Sequence, residues 1–156
     1  MIEIDIPGYK KLGIKYLVMD YNGTLACDGQ PLAGVKELVT TLADHVETHV
    51  ITADTFGKVK TELENVPCKV TVLPKEKQDQ GKREYINQLG AQNVAAVGNG
   101  RNDRLMLKQA GLGIAVIQEE GAYTDTVRAA EVVCTSIISA LELLNNPLRL
   151  TATLRS

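Results

Sequence analysis

Three short apolar runs of this chain lead directly into a polar residue able to handle a charged group. Asp20 follows Ile14 to Met19, Thr52 follows Val46 to Ile51, and Asn99 comes just after Asn93 to Val97, with lysines ahead of that last run. A carboxylate at the end of a buried strand costs free energy unless it is paired or coordinated, so Asp20 calls for a cation. Alone, such an aspartate is most often a cap or a loop residue. The glycine turn in Asp20-Tyr21-Asn22-Gly23-Thr24 strengthens the chemical reading, because backbone N–H groups just past the carboxylate can face an anion. Thr52 can cap a helix beginning near Phe56, hold phosphoryl oxygens together with that helix N-terminus, or do both. Gly98-Asn99-Gly100-Arg101-Asn102-Asp103 reads as a tight polar loop opening a helix. Two lysines compete for a place beside Asp20. Lys82 shares a helix face with Tyr85, Ile86 and Leu89, whereas the loop around Lys77 lacks an anchor, which favours Lys82 over Lys77.

The elements that would position these residues alternate, β-branched runs with segments of helical periodicity. Strands are expected at Ile14–Met19, Val46–Ile51, Lys69–Leu73, Asn93–Val97, Gly113–Ile117 and Glu131–Cys134. Helices are expected at Leu32–Ala43, Phe56–Glu64, Gly81–Leu89, Asp103–Ala110, Ala122–Ala129 and Ile137–Leu144. Several strands are apolar on both faces, as parallel strands between two helix layers should be. The fold class is therefore α/β, a doubly wound, three-layer Rossmann-like sheet, whose ligand crevice lies at the carboxyl ends of the strands. At 156 residues one domain, 1–156, is the expectation. Within it, residues 2–6 read as an exposed edge strand, packing on the sheet edge or on another subunit. Residues 146–156 form a tail docked on the core, with a dimer contact as the alternative.

Composition narrows the partners. Lys+Arg 17 against Asp+Glu 19, with no basic run, argues against nucleic acid. No apolar stretch is long enough to span a membrane. Cys27, Cys68 and Cys134 form no C-x-x-C pair and leave one over in any disulfide scheme, which fits a reducing cytoplasm. His45 and His49 read as exposed residues rather than a metal pair. The G-x-x-x-x-G-K-[ST] and G-x-G-x-x-G fingerprints are absent. A phospho-receiver domain would need an acidic pair after the first strand, where the neutral Asn22 stands.

The order of carboxylate, hydroxyl, lysine and Asn-Asp loop on successive strands resembles the haloacid dehalogenase-like (HAD) phosphohydrolase superfamily, from Ile14 to Leu144. The stretch Gly98 to Asp103, continued by Lys108-Gln-Ala-Gly-Leu-Gly-Ile-Ala-Val116, is most similar to the phosphorylation domain of P-type ATPases and to phosphoserine phosphatases. The resemblance implies a phosphoaspartyl mechanism in which Asp20 is the nucleophile. Gly23, Thr52, Ala53, Lys82 and Asn102 would hold the phosphoryl group, and Mg²⁺ would be bound by Asp20, the Asn22 carbonyl, Asn99 and Asp103, the last as ligand or one step removed. It implies a capless member, since only a small flap, Ala26 to Pro31, fits before the first helix. The substrate would be a phosphorylated small molecule or a phosphoprotein, and a neighbouring subunit of a homo-oligomer is one way to cover the open crevice.

Two positions depart from the pattern. Asn22 stands where a carboxylate usually protonates the leaving group, a service worth about 10²–10⁴ in rate, so ester hydrolysis should be slow. Asn99 stands where a metal carboxylate is usual, which removes one negative charge from the site. The alternative is a non-catalytic phosphate- or nucleotide-binding protein using the same crevice.

Overall fold

The apolar runs pair as a six-stranded, all-parallel sheet in the computed structural model, which describes residues 1–54 and 57–156. Its elements in chain order are β1 (Ile2–Asp5), β2 (Lys11–Ile14), β3 (Tyr16–Asp20), β4 (Ala26–Cys27), β5 (Gln30–Pro31), α1 (Val35–Leu42), β6 (Glu47–Thr52), α2 (Lys58–Glu62), β7 (Lys69–Val72), α3 (Gln78–Leu89), β8 (Val94–Gly98), α4 (Arg104–Gln109), β9 (Leu112–Val116), α5 (Thr124–Ala129), β10 (Val132–Cys134), α6 (Ile137–Asn145) and α7 (Pro147–Leu154). Strand order is β10-β9-β8-β3-β6-β7, the doubly wound arrangement, with the direction of winding reversing at β3.

Alternation along the strands divides the core in two. Leu17, Met19, Ala95, Val97, Ile114 and Val116 face one side, where Val39 of α1 and Leu141 of α6 cover them. Val18, Ile51, Ala96 and Ala115 face the other, against Ile86 of α3 and Met106 and Leu107 of α4. Burial on both faces is why the strand sequences carry almost no polar alternation. Among the described residues no helix is long and apolar enough to cross a membrane.

Several boundaries differ from expectation. The first run is cut at Lys15, whose N–H donates to the Asn93 carbonyl and whose carbonyl accepts from Glu47 N, each at 2.9 Å. Ile14 therefore belongs to β2, and β3 runs on to include Asp20 itself. The N-terminal strand pairs with β2 as an antiparallel hairpin in a separate two-stranded sheet, not as an edge of the main sheet. Its Ile4 and Ile6 are buried, and Ser156 donates from its backbone N–H to Pro7, so both chain ends meet there. The tail forms α7, with Leu150 buried. Helix α1 starts at Val35, behind Gly34 at φ 85, and not at Leu32. Phe56, the expected start of the second helix, lies outside the described residues. Helix α3 begins at Gln78, so Lys82 sits in its second turn instead of opening it.

His49 is the clearest correction. It is only 2% exposed, because β6 lies between β3 and β7 and α3 covers this face. Its ring stands edge-on to Tyr16 and Tyr85, and Nδ1 is 2.7 Å from the Tyr85 hydroxyl.

Candidate active site

Strand β3 hydrogen-bonds β6 on one side and β8 on the other, so the crevice of the reversal point opens over its carboxyl end, where Asp20 sits. The chain then turns back tightly. The Tyr21 carbonyl accepts from Thr24, Leu25 and Ala26 N–H groups, and the buried Tyr21 hydroxyl donates to Gly29 O at 3.0 Å, pinning the β4–β5 hairpin beneath the turn. Gly23 has φ +78, and a Cβ there would run into the Asn99 side chain. Glycine is thus required twice over, by conformation and by the close approach of two loops.

Lys82 reaches this point from α3. Its Nζ donates to Asp20 Oδ1 at 2.6 Å and to Asp103 Oδ1 at 2.7 Å, and its side chain is 1% exposed. Asp103 is fully buried, and its other oxygen accepts from Asn99 N at 3.0 Å and Gly100 N at 2.9 Å. One ammonium thus lies between two carboxylates away from water. Burial would push the lysine pKa down, but Asp103 and Asp20 outweigh it, and Lys82 is held well above its usual value. Burial, then the Asp103 charge, push Asp20 up from the ordinary carboxylate range, while Lys82 pulls it back.

Thr52 ends β6 and is buried, its hydroxyl accepting from Asp54 N at 3.2 Å. The first turn of α2 is served by Asp54, whose carboxylate accepts from Val59 N at 3.0 Å, so Thr52 is not that helix's cap. Thr52, Ala53, Asn22, Asn99 and Asn102 line one cleft of about 670 Å³ together with Asp20. Asn102 accepts from Lys82 at 3.5 Å and donates to Gln78 Oε1 at 2.6 Å. Gly23 lies behind Asp20 in the turn. Lys77, at φ +53 before α3, is on the rim of the cleft, so Lys82 and not Lys77 is the lysine that touches Asp20.

Two further contributors emerge, Thr24, named from the sequence only as part of the glycine turn, and Gln118, not singled out at all. The buried Thr24 hydroxyl lies 3.4 Å from Asp20 Oδ2 and 3.2 Å from Asn99 Oδ1, joining the two loops. Gln118 donates to Gly23 O and Thr24 O at 3.2 and 2.9 Å, and its Oε1 accepts from Ile137 N at 2.7 Å at the start of α6. Its signal was present: it is a polar residue soon after a parallel strand, β9, at the same edge of the sheet as Asp20.

Asp20 Oδ2 and Asn99 Oδ1 meet at the Thr24 hydroxyl, while Asn99 Nδ2 is turned away to Gly121 O at 2.9 Å. Two hard oxygens therefore converge from different loops, a donor chemistry that suits Mg²⁺. Among the described residues no cluster of three or more histidine, cysteine or acidic side chains is arranged around a metal position, so amide and carbonyl oxygens would have to complete such a set. Asp103, with both oxygens already engaged, has the geometry of a residue one step removed.

No protein-family model matches the chain. Among solved structures, the cobalt-bound deoxy-D-mannose-octulosonate 8-phosphate phosphatase of Haemophilus influenzae is similar, at 15% identity and a TM-score of 0.71 over 86% of this chain and 88% of that one. A HAD hydrolase of subfamily III A from Legionella pneumophila shares 18% identity with a TM-score of 0.71, covering 90% and 88% of the two chains. The 3-deoxy-D-manno-octulosonate 8-phosphate phosphatase of Moraxella catarrhalis, solved with magnesium, phosphate and KDO, shares 19% with a TM-score of 0.66, covering 90% and 92%. The chain has the HAD-like fold. It belongs to the same family as the uncharacterized protein MJ0073 of Methanocaldococcus jannaschii, to which it is 50% identical over 62 residues, 40% of this chain and 67% of that protein. The uncharacterized protein MJ0072 of the same organism is 44% identical over 39 residues, 25% of this chain and 89% of that protein.

Proposed function

We propose that the protein is an Mg²⁺-dependent phosphohydrolase or phosphotransfer enzyme that carries the phosphoryl group on Asp20. The observation behind this reading is the Asp20–Lys82–Asp103 triad at the reversal point of the sheet. A buried charged cluster is a poor way to gain stability, since hydrophobic replacements are often as stable or more so. Its place at the mouth of the cleft, and the phosphatases among the structural relatives, favour chemistry as its purpose.

In this reading Asp20 attacks phosphorus and the leaving group departs with the bond electrons. Water then hydrolyses the acyl phosphate, returning the carboxylate. Lys82 steadies Asp20 through Oδ1 and presents positive charge to the incoming phosphoryl oxygens, while Asp103 fixes the lysine and the loop after β8. Thr52 and Ala53 at the end of β6 and Asn102 supply neutral donors along the cleft, whereas the Gly23 N–H, counted among the phosphate contacts from the sequence, donates instead to the Ala26 carbonyl at 2.9 Å. Mg²⁺ would be held by Asp20, Asn99 and the Asn22 carbonyl, with Asp103 supporting from behind, and when bound it offsets phosphoryl charge. Asn22 is exposed in the cleft and, as an amide, gives no proton to a leaving group. Substrates with good leaving groups, such as acyl phosphates or a nucleoside triphosphate that releases its diphosphate, are therefore favoured, as in the P-type ATPase-like proteins that the motifs resemble. Three free thiols fit a cytoplasmic setting.

The test is incubation with Mg²⁺ and acetyl or nitrophenyl phosphate, followed by mass spectrometry of the rapidly quenched protein. A phosphoryl adduct on the Asp20 peptide and turnover at least about 10⁴-fold above the Asp20→Asn variant are expected. Phosphate binding with neither adduct nor turnover would favour the binding-protein alternative that Asn22 and Asn99 motivate.

A further inference from the structure

The cleft over Asp20 is large and lined mainly by polar side chains, and its charges are unevenly met. Beyond the reacting end, its wall carries three cations, Lys75, Lys77 and Arg101, from the β7–α3 loop and the loop after β8. All three are exposed, and none makes an ion pair or side-chain hydrogen bond among the described residues. One carboxylate, Asp79, lines the cleft beside them, with one oxygen accepting from Gln80 N at 2.8 Å in the first turn of α3. Asp20 is matched by Lys82. Three cations against the one rim carboxylate, Asp79, thus look onto a cleft of about 670 Å³, far more room than a phosphoryl group needs, in a protein of net charge −2.

Among the described residues the wall carries no aromatic side chain, and Ala53 is its one apolar side chain. With one small apolar side chain among its described lining residues, the cleft offers an aryl or alkyl leaving group less to bury than it offers an anion to pair with. It favours negative charge, since cations along a concave wall focus the field on what enters.

We infer that the substrate is a small hydrophilic molecule carrying a second anionic group, a carboxylate or a further phosphoryl group, seated against Lys75, Lys77 and Arg101 while the reacting phosphoryl group faces Asp20. The placing of the reacting end rests on the phosphoryl-transfer reading. The affinity of the rim for the second anion does not.

Calorimetry with the non-hydrolysing Asp20→Asn variant separates the two. The ligands are glycerol phosphate, phosphoglycerate and propanediol bisphosphate, which differ in having no second anion, a carboxylate or a second phosphoryl group. Three solvent-exposed pairings should tighten binding of a doubly anionic ligand by about tenfold over glycerol phosphate. The ratio should shrink at high ionic strength. It should fall towards one when Lys75→Gln, Lys77→Asn and Arg101→Gln are added, asparagine being chosen because it tolerates the left-handed backbone at residue 77. Arg101→Gln alone, in a 3-10 turn with its side chain in water, gives a partial fall if the triple variant folds poorly. Which of the two doubly anionic ligands binds tighter identifies the second group. Equal affinities for all three ligands, a preference that survives the triple variant, or no binding of any of them would overturn the inference. A preference found in a protein that never forms the Asp20 adduct would leave the inference standing and remove the phosphoryl-transfer reading.

Discussion

Lys82 and Tyr85 stand three residues apart on α3 and reach into two different polar clusters under the same helix. Lys82 joins two carboxylates at the carboxyl end of the sheet. Tyr85 joins His49 and Thr71 further back, with hydroxyl contacts of 2.7 and 3.2 Å. His49 Nε2 is 3.0 Å from a Glu47 oxygen, but the alignment is too poor for a hydrogen bond, and Glu47 is taken by the exposed Lys69. Burial holds the His49 pKa below its usual value, with Glu47 opposing, so the ring is neutral at neutral pH. The rear cluster keeps full charge at the water's edge, whereas the front one keeps it inside. A neutral network is an inexpensive way to satisfy buried groups, and a buried charged triad is not. The contrast is what favours the front cluster as the seat of the proposed chemistry.

Removing a charge should expose this difference most strongly. Lys82→Ala strands two buried carboxylates and is expected to cost about 3–5 kcal/mol in urea unfolding. A loss under about 1 kcal/mol would mean that the triad is not charged as described. Adding a charge is the next test. Asn22→Asp places a carboxylate beside the leaving group and should speed hydrolysis of alkyl phosphate esters by about 10²-fold, with little change for acyl phosphates, which need no proton. Equal acceleration of both substrate classes would argue against a general-acid role at that position.

Perturbing the rear cluster should do less. Tyr85→Phe leaves His49 Nδ1 without its partner and should cost about 1–2 kcal/mol of stability. If it instead costs as much as Lys82→Ala, the proposed distinction fails. The smallest effect is a pH dependence. Because burial lowers the His49 pKa in the folded state, the unfolded chain takes up the proton first as pH falls below 6.5. Its contribution to stability is complete above that pH and is lost progressively below it, towards the folded-state pKa. Thermal unfolding between pH 7 and 5 should show this loss flattened in His49→Gln, on the order of 1 kcal/mol per unit of depressed pKa. An unaltered slope would place the titration elsewhere.

The sheet and the strand-end residues were legible because their signals are local. Apolar runs bounded by Gly, Asn and Asp show where a parallel strand ends, and the residue at that end must face the crevice. The bland reading of Thr52 as a helix cap failed for a similarly local reason, since Asp54 lies closer to the helix start and serves it. Lys15 cut the first strand where hydropathy alone ran through, because its backbone bonds reach Asn93 and Glu47 on different neighbours.

Sequence by itself determined that Asp20, Thr52 and Asn99 share one edge of an α/β sheet, since strand direction and side-chain alternation follow from short-range pattern. Only the tertiary structure decided that Lys82 is the partner of Asp20, that Asp103 holds the lysine with one oxygen and the loop after β8 with the other, that Gln118 ties down the turn after Asp20, and that His49 is buried. Those contacts join residues 62, 21, 94 and 36 positions apart. Periodicity sets which way a side chain faces on its own strand or helix, but which distant side chain it meets depends on how the helices pack across the sheet.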